Sequence, residues 1–208
     1  MKIAGDYVFE APQSIVWEAL LDPVALAATL PGCDKLEREG THYEGDLNVK
    51  VGPVQGKFHG KIDLSDVNEP QGYTINVDGR GQPGFVKAVA NVKLSQHDDA
   101  HTKIEYDADA KVGGRVASVG QRLLDASARA IIKQSLEGLN ETVKARAEAQ
   151  KASAASGRAV EAPAPKRVSE SQMAAAVARE VSKTLVPAPV AIGIVVVAIG
   201  VITYLFLS

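Results

Sequence analysis

The sequence predicts an α+β domain in which a curved antiparallel sheet wraps around one long C-terminal helix, followed by a linker and a single C-terminal transmembrane helix. Three observations favour this architecture. Several segments alternate strictly between apolar and polar residues, as half-buried strands do. One later segment carries its apolar residues at the period of a helix. The chain then closes on residues 185–208, which contain no charged side chain.

The first elements are a strand at 2–9 and two short helices between that strand and Cys33. Pro12 is tolerated at the start of the first helix. Pro23 and Pro31 separate the helices from each other and from the next element, because proline lacks a backbone donor. The apolar face of the first helix is formed by Ile15, Val16, Ala19 and Leu20.

A β-hairpin is predicted next from the alternation in HYEGDLNVKV and VQGKFHGKIDL, which are joined by a two-residue Gly-Pro loop. This loop length sets a register in which Glu44 faces Lys61 and Asp46 faces His59, so opposite charges meet on the outer face. The residues predicted to point the other way, toward the core, are Tyr43, Gly45, Leu47, Val49, Val51, Val54, Gly56, Phe58, Gly60, Ile62 and Leu64.

Three further strands are predicted at 73–77, 85–94 and 101–112, and a long helix follows from about 115 to 142. An antiparallel sheet with one apolar face must cover that face, and this helix is the only element long enough to do so. The prediction is therefore one domain over residues 1–145, which is a usual size for a single core.

Many positions that should face the helix are small, and this leaves two interpretations open. In the first, glycines bend the sheet and alanines let the helix approach closely. In the second, the small residues leave a cavity between sheet and helix, because a solid core would be filled with large side chains. The small inward residues are Gly45, Gly56, Gly60, Ala88, Ala90, Ala108 and Ala110.

The cavity interpretation predicts a binding site for a hydrophobic ligand, since an apolar pocket with few polar groups favours such molecules. Its walls would come from the central strands and the long helix, and its mouth from the second short helix. The predicted ligand-binding residues are Leu26, Leu30, Phe58, Ile75, Phe85, Ala88, Ala90, Tyr106, Ala108, Val119 and Leu123.

Signals for catalysis are weak, and no catalytic or metal-binding residue is predicted. The segment GRGQPG at 79–84 matches a G-x-G-x-x-G pattern, but it joins two strands instead of leading into a phosphate-binding helix. The four histidines lie on outward strand positions or in turns, without metal-ligand spacing. The inner face offers no nucleophile and no carboxylate pair, so the protein is predicted not to be an enzyme.

The region 146–184 is rich in Ala, Ser, Pro and charged residues, which predicts a flexible, net basic linker. A short helical segment at 169–184 either lies on the membrane or extends the span. Residues 185–208 are long enough to cross roughly 30 Å of hydrocarbon and predict a single-pass anchor. Basic residues precede this anchor and the N-terminus lacks a secretory signal, so the N-terminal domain is expected to face the cytoplasm at the cytoplasmic membrane.

The distribution of charge and cysteine limits the expected partners and compartment. The domain before the linker is net acidic, which excludes nucleic acid as an expected partner. The lone Cys33 permits no internal disulfide and fits a reducing compartment.

Three segments together resemble one known family: LPGCDKLE after the short helices, VGPVQGKFHGKI across the hairpin, and DADAKVGGRVASVGQRLLDASAR leading into the long helix. Over residues 1–145 they are similar to the CoxG family of carbon monoxide dehydrogenase subunits. The resemblance implies a helix-grip (START-like, SRPBCC) fold, whose members typically hold a lipid, sterol or polyketide between sheet and helix. It also implies association with a molybdenum-containing carbon monoxide dehydrogenase or related hydroxylase at the cytoplasmic membrane, and it names no catalytic residues.

From these observations we expect a membrane-tethered carrier that binds a respiratory quinone, menaquinone or ubiquinone, and delivers it to the dehydrogenase, with no tightly bound cofactor. Exposing an isoprenoid tail to water would cost on the order of ten kcal/mol at about 25 cal/mol per Å², and a tethered cavity would lower that cost. The alternative is an adaptor that only recruits the dehydrogenase to the membrane. A START-like cyclase or hydrolase would need polar groups in the cavity, where few beyond Tyr43 and Tyr106 are expected.

Overall fold

The structure, a computed structural model, describes residues 1–156, 162–165, 175, 176, 178–180 and 182. Its centre is one antiparallel sheet, which confirms the α+β prediction together with the long helix that follows. The strands are β1 (Lys2–Phe9), β2 (Cys33–Glu39), β3 (His42–Val51), β4 (Val54–Asn68), β5 (Gly72–Gly81), β6 (Gly84–Gln96) and β7 (Thr102–Gly113). Their order across the sheet is β1-β7-β6-β5-β4-β3-β2.

The helices are α1 (Gln13–Leu21), α2 (Pro23–Thr29), a 3₁₀ helix (Arg115–Val119) and α3 (Gln121–Ser156). Asp22 caps α2, because its carboxylate accepts a hydrogen bond of 2.8 Å from the Val24 amide. The same carboxylate pairs with Arg146 of α3. Burial alone would raise the pKa of Asp22, but Arg146 and the Val24 amide bring it below its usual value. This ion pair therefore links the two helices.

The β3–β4 hairpin has the register that the sequence predicted. Glu44 pairs with Lys61 and Asp46 with His59, and the inner-face residues Gly45 and Gly60 lie directly opposite each other. The loop between the strands is Gly52 and Pro53, and Gly52 has the positive φ of 57° that a tight turn requires.

Strand β2 was not predicted. Its sequence, CDKLERE, has only one large apolar side chain, Leu36, so the alternation that marks the other strands is absent. The strand needs few apolar side chains because it lies at the edge of the sheet. It pairs only with β3, where Leu36 lies opposite Gly45. Charged side chains are typical of edge strands, since they discourage pairing with other chains.

The predicted helix from about 115 to 142 is wrong in both its bounds. Gly120 has a φ of 90° and separates the 3₁₀ helix from α3. At the other end α3 continues to Ser156 and occupies residues 146–156, which the sequence analysis assigned to the flexible linker. The continuation follows from the high helix propensity of its alanines and from the burial of Ala147 in the core.

The hydrophobic core lies at one end of the sheet, where α1 and the C-terminal half of α3 cover the end of β1 and the neighbouring ends of β5, β6 and β7. Phe9, Val16 and Val143 have no exposed surface there. We call the buried cluster at this end the core cluster; it consists of Phe9, Ala11, Ile15, Val16, Trp17, Ala19, Ala25, Tyr73, Val92, Leu94, Ile104, Leu139, Val143 and Ala147.

The membrane anchor predicted at 185–208 lies outside the described residues, and so does most of the linker between 157 and 184. Within the described residues, no helix is both long and apolar enough to span a bilayer. The anchor therefore stays a prediction from the sequence.

Candidate functional site

The inner face of the sheet, which is the face toward α1 and α3, changes character along the strands. At the edge of the core cluster, one row across the sheet contains Tyr106 and two members of the cluster, Val92 and Tyr73. The next row contains Ala108, Ala90 and Ile75, and the one after it Ala110, Ala88 and Val77. A fourth row places Gly79 opposite Gly60. We call these small and medium residues the cleft floor: Gly60, Ile75, Val77, Gly79, Ala88, Ala90, Ala108 and Ala110.

The cleft floor is not packed like a core. Ala88, Ala90 and Ala108 lie on the central strands, where full burial is usual, yet they are only half-buried. Helix α3 packs chiefly on α2, α1, β1, the 3₁₀ helix and β3. It therefore leaves space over the middle of the sheet, because the short floor side chains do not reach it.

Two floor glycines have room for a side chain. A methyl group placed on Gly60 or Gly79 would meet no side chain of the described residues within 4 Å. Gly45 and Gly56 are different, since a methyl group there would collide with the Lys35 carbonyl oxygen and the Pro83 ring respectively. Gly45 and Gly56 thus permit close packing against β2 and the β5–β6 turn, whereas Gly60 and Gly79 have room for a side chain. The cavity stays a prediction.

The cleft is closed at the end away from the core cluster. Pro83, in the β5–β6 turn, folds over Gly56, and its carbonyl oxygen accepts a hydrogen bond of 2.9 Å from the Val116 amide. Phe58, Pro83 and Val116 are all buried there. The segment GRGQPG therefore forms a turn that closes one end of the cleft.

One predicted ligand-binding residue lies on the wrong face. Phe85 is 42% exposed on the outer face, where its ring packs against Gly113. The prediction was inconsistent with strand geometry, because Phe85 and Ala88 are three positions apart on one regular strand and must face opposite sides. Phe85 therefore does not line the cleft.

The other predicted residues fall into three groups. Ile75, Ala88, Ala90 and Ala108 lie together on the floor, and Tyr106 borders it. Phe58 is buried at the closed end, next to the turn that carries Pro83. The remaining four, half-buried on or beside the helices, are Leu26, Leu30, Val119 and Leu123.

Tyrosine hydroxyls supply the polar groups near the floor. The Tyr43 hydroxyl is satisfied, since it donates a hydrogen bond of 2.9 Å to the Leu21 carbonyl oxygen. The Tyr106 hydroxyl lies over Gly5, where a methyl group would collide with it. Burial raises the pKa of Tyr106, and the positive charge of Arg129 on α3 partly opposes that shift.

Tyr73 is the polar residue that the sequence analysis missed as part of the site. It is 6% exposed, and its ring makes an edge contact with Trp17, with ring centroids 5.6 Å apart. Burial raises its pKa well above the usual value, so the phenol stays protonated. Its position as the inward residue at the start of a predicted strand was the available signal.

Ionic groups concentrate on the outer face instead. His59 contacts both Asp46, at 3.0 Å, and Glu44, at 2.6 Å, and His42 contacts Asp63 at 2.8 Å. These are exposed cross-strand pairs. Within the described part of the chain, no group of three or more His, Cys, Asp or Glu side chains is placed to hold a metal ion.

A groove on the outer face is a poor candidate for a hydrophobic ligand. Its rim is formed by charged side chains, including Asp78, Lys87, Asp109 and Lys111. Asp78 is held by Arg80 and Lys87, which lower its pKa to about 2. The inner cleft, whose floor has no ionisable side chain, fits a hydrophobic molecule better.

The comparisons with known proteins agree with this fold. The family model of CoxG, the G component of carbon monoxide dehydrogenase, matches residues 5–144. No curated protein matches the chain. A conserved protein from Geobacillus kaustophilus is 32% identical, with a TM-score of 0.66 over 69% of this chain and 95% of that one.

Two more distant structures show the fold alone. An aromatase/cyclase from a Streptomyces species is 15% identical, with a TM-score of 0.55 over 70% of this chain and 94% of that one. A START superfamily protein from Mycobacterium smegmatis is also 15% identical, with a TM-score of 0.50 over 67% of this chain and 97% of that one. The sheet, the long helix and the family match lead to one conclusion: the chain belongs to the CoxG family and has a START-like fold.

Proposed function

We propose that this protein binds a hydrophobic ligand in the cleft between the sheet and α3, and that it serves a carbon monoxide dehydrogenase. The observation that carries the proposal is on the cleft floor, where Gly60 and three alanines are only half-buried on the inner face of the sheet, namely Ala88, Ala90 and Ala108. The link to the dehydrogenase comes from the description of the matching family. In this proposal the protein is an accessory subunit of the dehydrogenase and not itself an enzyme.

The ligand we propose is a respiratory quinone, menaquinone or ubiquinone. A floor without charges suits an uncharged ring and an isoprenoid tail, because apolar surface removed from water contributes about 25 cal/mol per Å². The anchor predicted at 185–208 would keep the cleft close to the membrane that holds the quinone. The protein would then extract the quinone and present it to the dehydrogenase, a molybdenum-containing enzyme or related hydroxylase, on the cytoplasmic side.

The experiment is mass spectrometry of an organic extract of residues 1–156, purified without detergent from a quinone-producing host. This fragment contains every element of the sheet and α3. The Geobacillus kaustophilus relative, which matches over 95% of its own length, shows that a domain of this size is a folded unit. Stoichiometric quinone in the extract supports the carrier, and its absence after incubation with quinone-loaded vesicles contradicts it.

The adaptor is the second candidate, because the net acidic charge of residues 1–145 would favour docking on a basic surface of a partner protein. An adaptor would recruit the dehydrogenase to membranes with the cleft empty. It predicts that a variant with a filled cleft still recruits the enzyme and still supports electron transfer. The carrier predicts recruitment without electron transfer, so the two functions separate in one assay.

An enzymatic function has less support. One similar structure is that of an aromatase/cyclase, but it shares only 15% identity and shows the fold alone. The cleft floor has no acid, base or nucleophile. The tyrosines beside it are phenols whose pKa values are raised by burial, which makes them hydrogen-bond donors instead of bases.

A further inference from the structure

The back of α3, which is the side turned away from the core cluster, is also buried. Leu139 and Val143 belong to the core cluster. Ala130 lies nine positions before Leu139, which is two and a half helical turns, so it is on the opposite side of α3. Ala130 is nevertheless only 4% exposed, and Ala126, one turn earlier on the same side, is 3% exposed. Something other than the core cluster therefore covers the back of α3.

A groove on this side of α3 shows which part of the chain lies next to it. One wall of the groove is α3, represented by Ala130, Gln134 and Gly138. The other wall comes from the segment 175–182, whose described residues are helical. We call this segment the strap; the residues it contributes to the groove are Ala175, Ala176, Arg179, Glu180 and Ser182.

The strap turns one particular face toward α3. Ala176 and Glu180 are half-buried and line the groove. They are four positions apart, so they lie on the same side of a helix. Ala178, which lies between them on another side, is exposed. This pattern is that of a helix seated on a neighbouring surface.

Small side chains line the groove on both walls. Ala130 and Gly138 belong to α3, and Ala175 and Ala176 belong to the strap. The distance between packed helices depends on the side chains at their contact, so small residues permit a close approach. The two walls therefore match in size.

The polar side chains of the groove favour a contact that can open. Each wall carries both signs of charge, with Lys133 and Glu137 on α3 and Arg179 and Glu180 on the strap. Such pairs contribute little when they are exposed to water. Gln134 lines the groove, and its Oε1 atom is buried without a hydrogen-bond partner, so this atom would gain a bond to water if the strap left.

We propose that the strap docks reversibly on the back of α3 and holds the domain close to residues 185–208, instead of acting as part of a free linker. With the strap docked, only residues 183 and 184 separate it from residue 185, so α3 lies within roughly 10 Å of that segment. Release of the strap returns the whole linker to the domain and lets it move away. This inference concerns the tether and does not depend on the ligand of the proposed function.

The length of the chain permits this docking. From Glu141, at the end of the groove, α3 continues to Ser156 over about 22 Å. Residues 157–174 can span up to roughly 60 Å. The chain can therefore turn back after Ser156 and reach the groove.

The burial of Ala130 provides the measurement. Cys33, the only cysteine, is replaced by Ser, and Ala130→Cys then gives the protein a single thiol. Labelling by a membrane-impermeant maleimide is timed in the full chain, held in phospholipid nanodiscs, and in residues 1–156, which lack the strap. We expect labelling to be at least about 10-fold faster in the fragment, because the docked strap protects the thiol. Arg129→Cys, at an exposed position, should be labelled at the same rate in both proteins.

Two strap variants of the full chain identify the element that protects position 130. Ala176→Arg places a long charged side chain on the seated face and should raise the labelling rate toward that of the fragment. Ala178→Arg is the matched control, since Ala178 is exposed and the variant should stay protected. Gln134→Cys is a second reporter in the same groove and should give the same pattern.

Three results would overturn the docked strap. They are equal labelling of position 130 in the full chain and the fragment, protection that survives Ala176→Arg, and equal loss of protection in Ala176→Arg and Ala178→Arg. Quinone binding by residues 1–156 is measured without the strap, so the proposed function succeeds or fails independently.

Discussion

The two ends of the layer between sheet and helix are built from the same strands and the same helix, yet they pack differently. In the core cluster, Phe9, Val16 and Val143 have no exposed surface. On the cleft floor, Ala90 and Ala108 are half-buried although they lie on central strands. Side-chain volume accounts for the difference. One end holds the fold together, and the other end is more open, as the proposed ligand site requires.

The largest loss of stability should come from removing a large side chain from the core cluster. Phe9→Ala removes a fully buried ring and is expected to lower the free energy of unfolding by about 3–5 kcal/mol. The matched change Phe85→Ala, on the exposed outer face, should cost less than about 1.5 kcal/mol. Urea unfolding of residues 1–156, followed by circular dichroism, measures both. Equal losses would contradict the assignment of Phe85 to the outer face.

Adding volume should separate the two ends in the opposite way. Ala19→Phe inserts a ring into the fully packed core cluster and should cost at least about 1–3 kcal/mol. Ala90→Phe places the same ring over the open floor, so the free energy of unfolding should change by less than about 1 kcal/mol. Thermal melting compares the two variants. A loss of stability in Ala90→Phe as large as that in Ala19→Phe would show that no cleft exists.

Glycine substitutions sharpen the comparison within a single pair of residues. Gly45 and Gly60 lie directly opposite each other on the inner face. Gly45→Ala should cost about 1–3 kcal/mol, because its methyl group collides with the Lys35 carbonyl oxygen. Gly60→Ala should be neutral or stabilise by up to about 1 kcal/mol, since the space beyond it is open. Chemical denaturation measures the free energy of unfolding of both variants. A larger loss in Gly60→Ala than in Gly45→Ala would contradict the room predicted at Gly60.

The two tyrosines Tyr43 and Tyr73 should differ in how much their hydroxyls contribute to the free energy of unfolding. Tyr43→Phe breaks the hydrogen bond to Leu21 and should lower the free energy of unfolding by about 0.5–1.5 kcal/mol. The Tyr73 hydroxyl is not among the buried side-chain atoms of the described residues that lack a partner, so Tyr73→Phe relieves no buried unsatisfied group, and the free energy of unfolding should change by less than about 0.5 kcal/mol. Unfolding curves of quinone-free protein test this, and a marked loss in Tyr73→Phe would reveal a partner within the chain.

The smallest effect is on the outer face and depends on pH. Hydrogen bonds from His59 to Asp46 and Glu44 raise the pKa of the imidazole above its usual value of about 6.5. The charged form is therefore favoured by folding, and its contribution is complete below about pH 6.5 and is lost as the pH rises through the folded pKa. The urea midpoint should fall slightly from pH 6 to pH 8, and less so in His59→Gln. An identical fall in both proteins would exclude His59 as the cause.

The hairpin shows how much of the fold could be predicted from the sequence. Strict alternation and a two-residue loop determine both the register and the inward face, so the pairs of Glu44 and Asp46 were predicted correctly. Edge strand β2 was missed because its side chains are mostly charged. Helix α3 was ended too early, since alanines continue a helix as readily as they form a linker.

The candidate site was only partly predictable. The small residues of the floor were visible as inward positions, but alternation alone cannot tell whether a helix fills the space above them. Phe85 was misassigned because the prediction did not fix which residues of its strand face inward. Tyr73 was overlooked because its burial against Trp17 depends on three-dimensional packing, and no local pattern reports that contact.

The most direct test of the central claim is quinone uptake from vesicles by residues 1–156, in the wild type and in Ala90→Phe. Menaquinone-loaded phospholipid vesicles are incubated with each protein and removed by centrifugation, and the quinone left with the soluble protein is quantified. The account predicts stoichiometric quinone with the wild type and almost none with Ala90→Phe, at equal stability. Equal uptake by both proteins, or none by the wild type, would contradict a ligand cleft over the alanine floor.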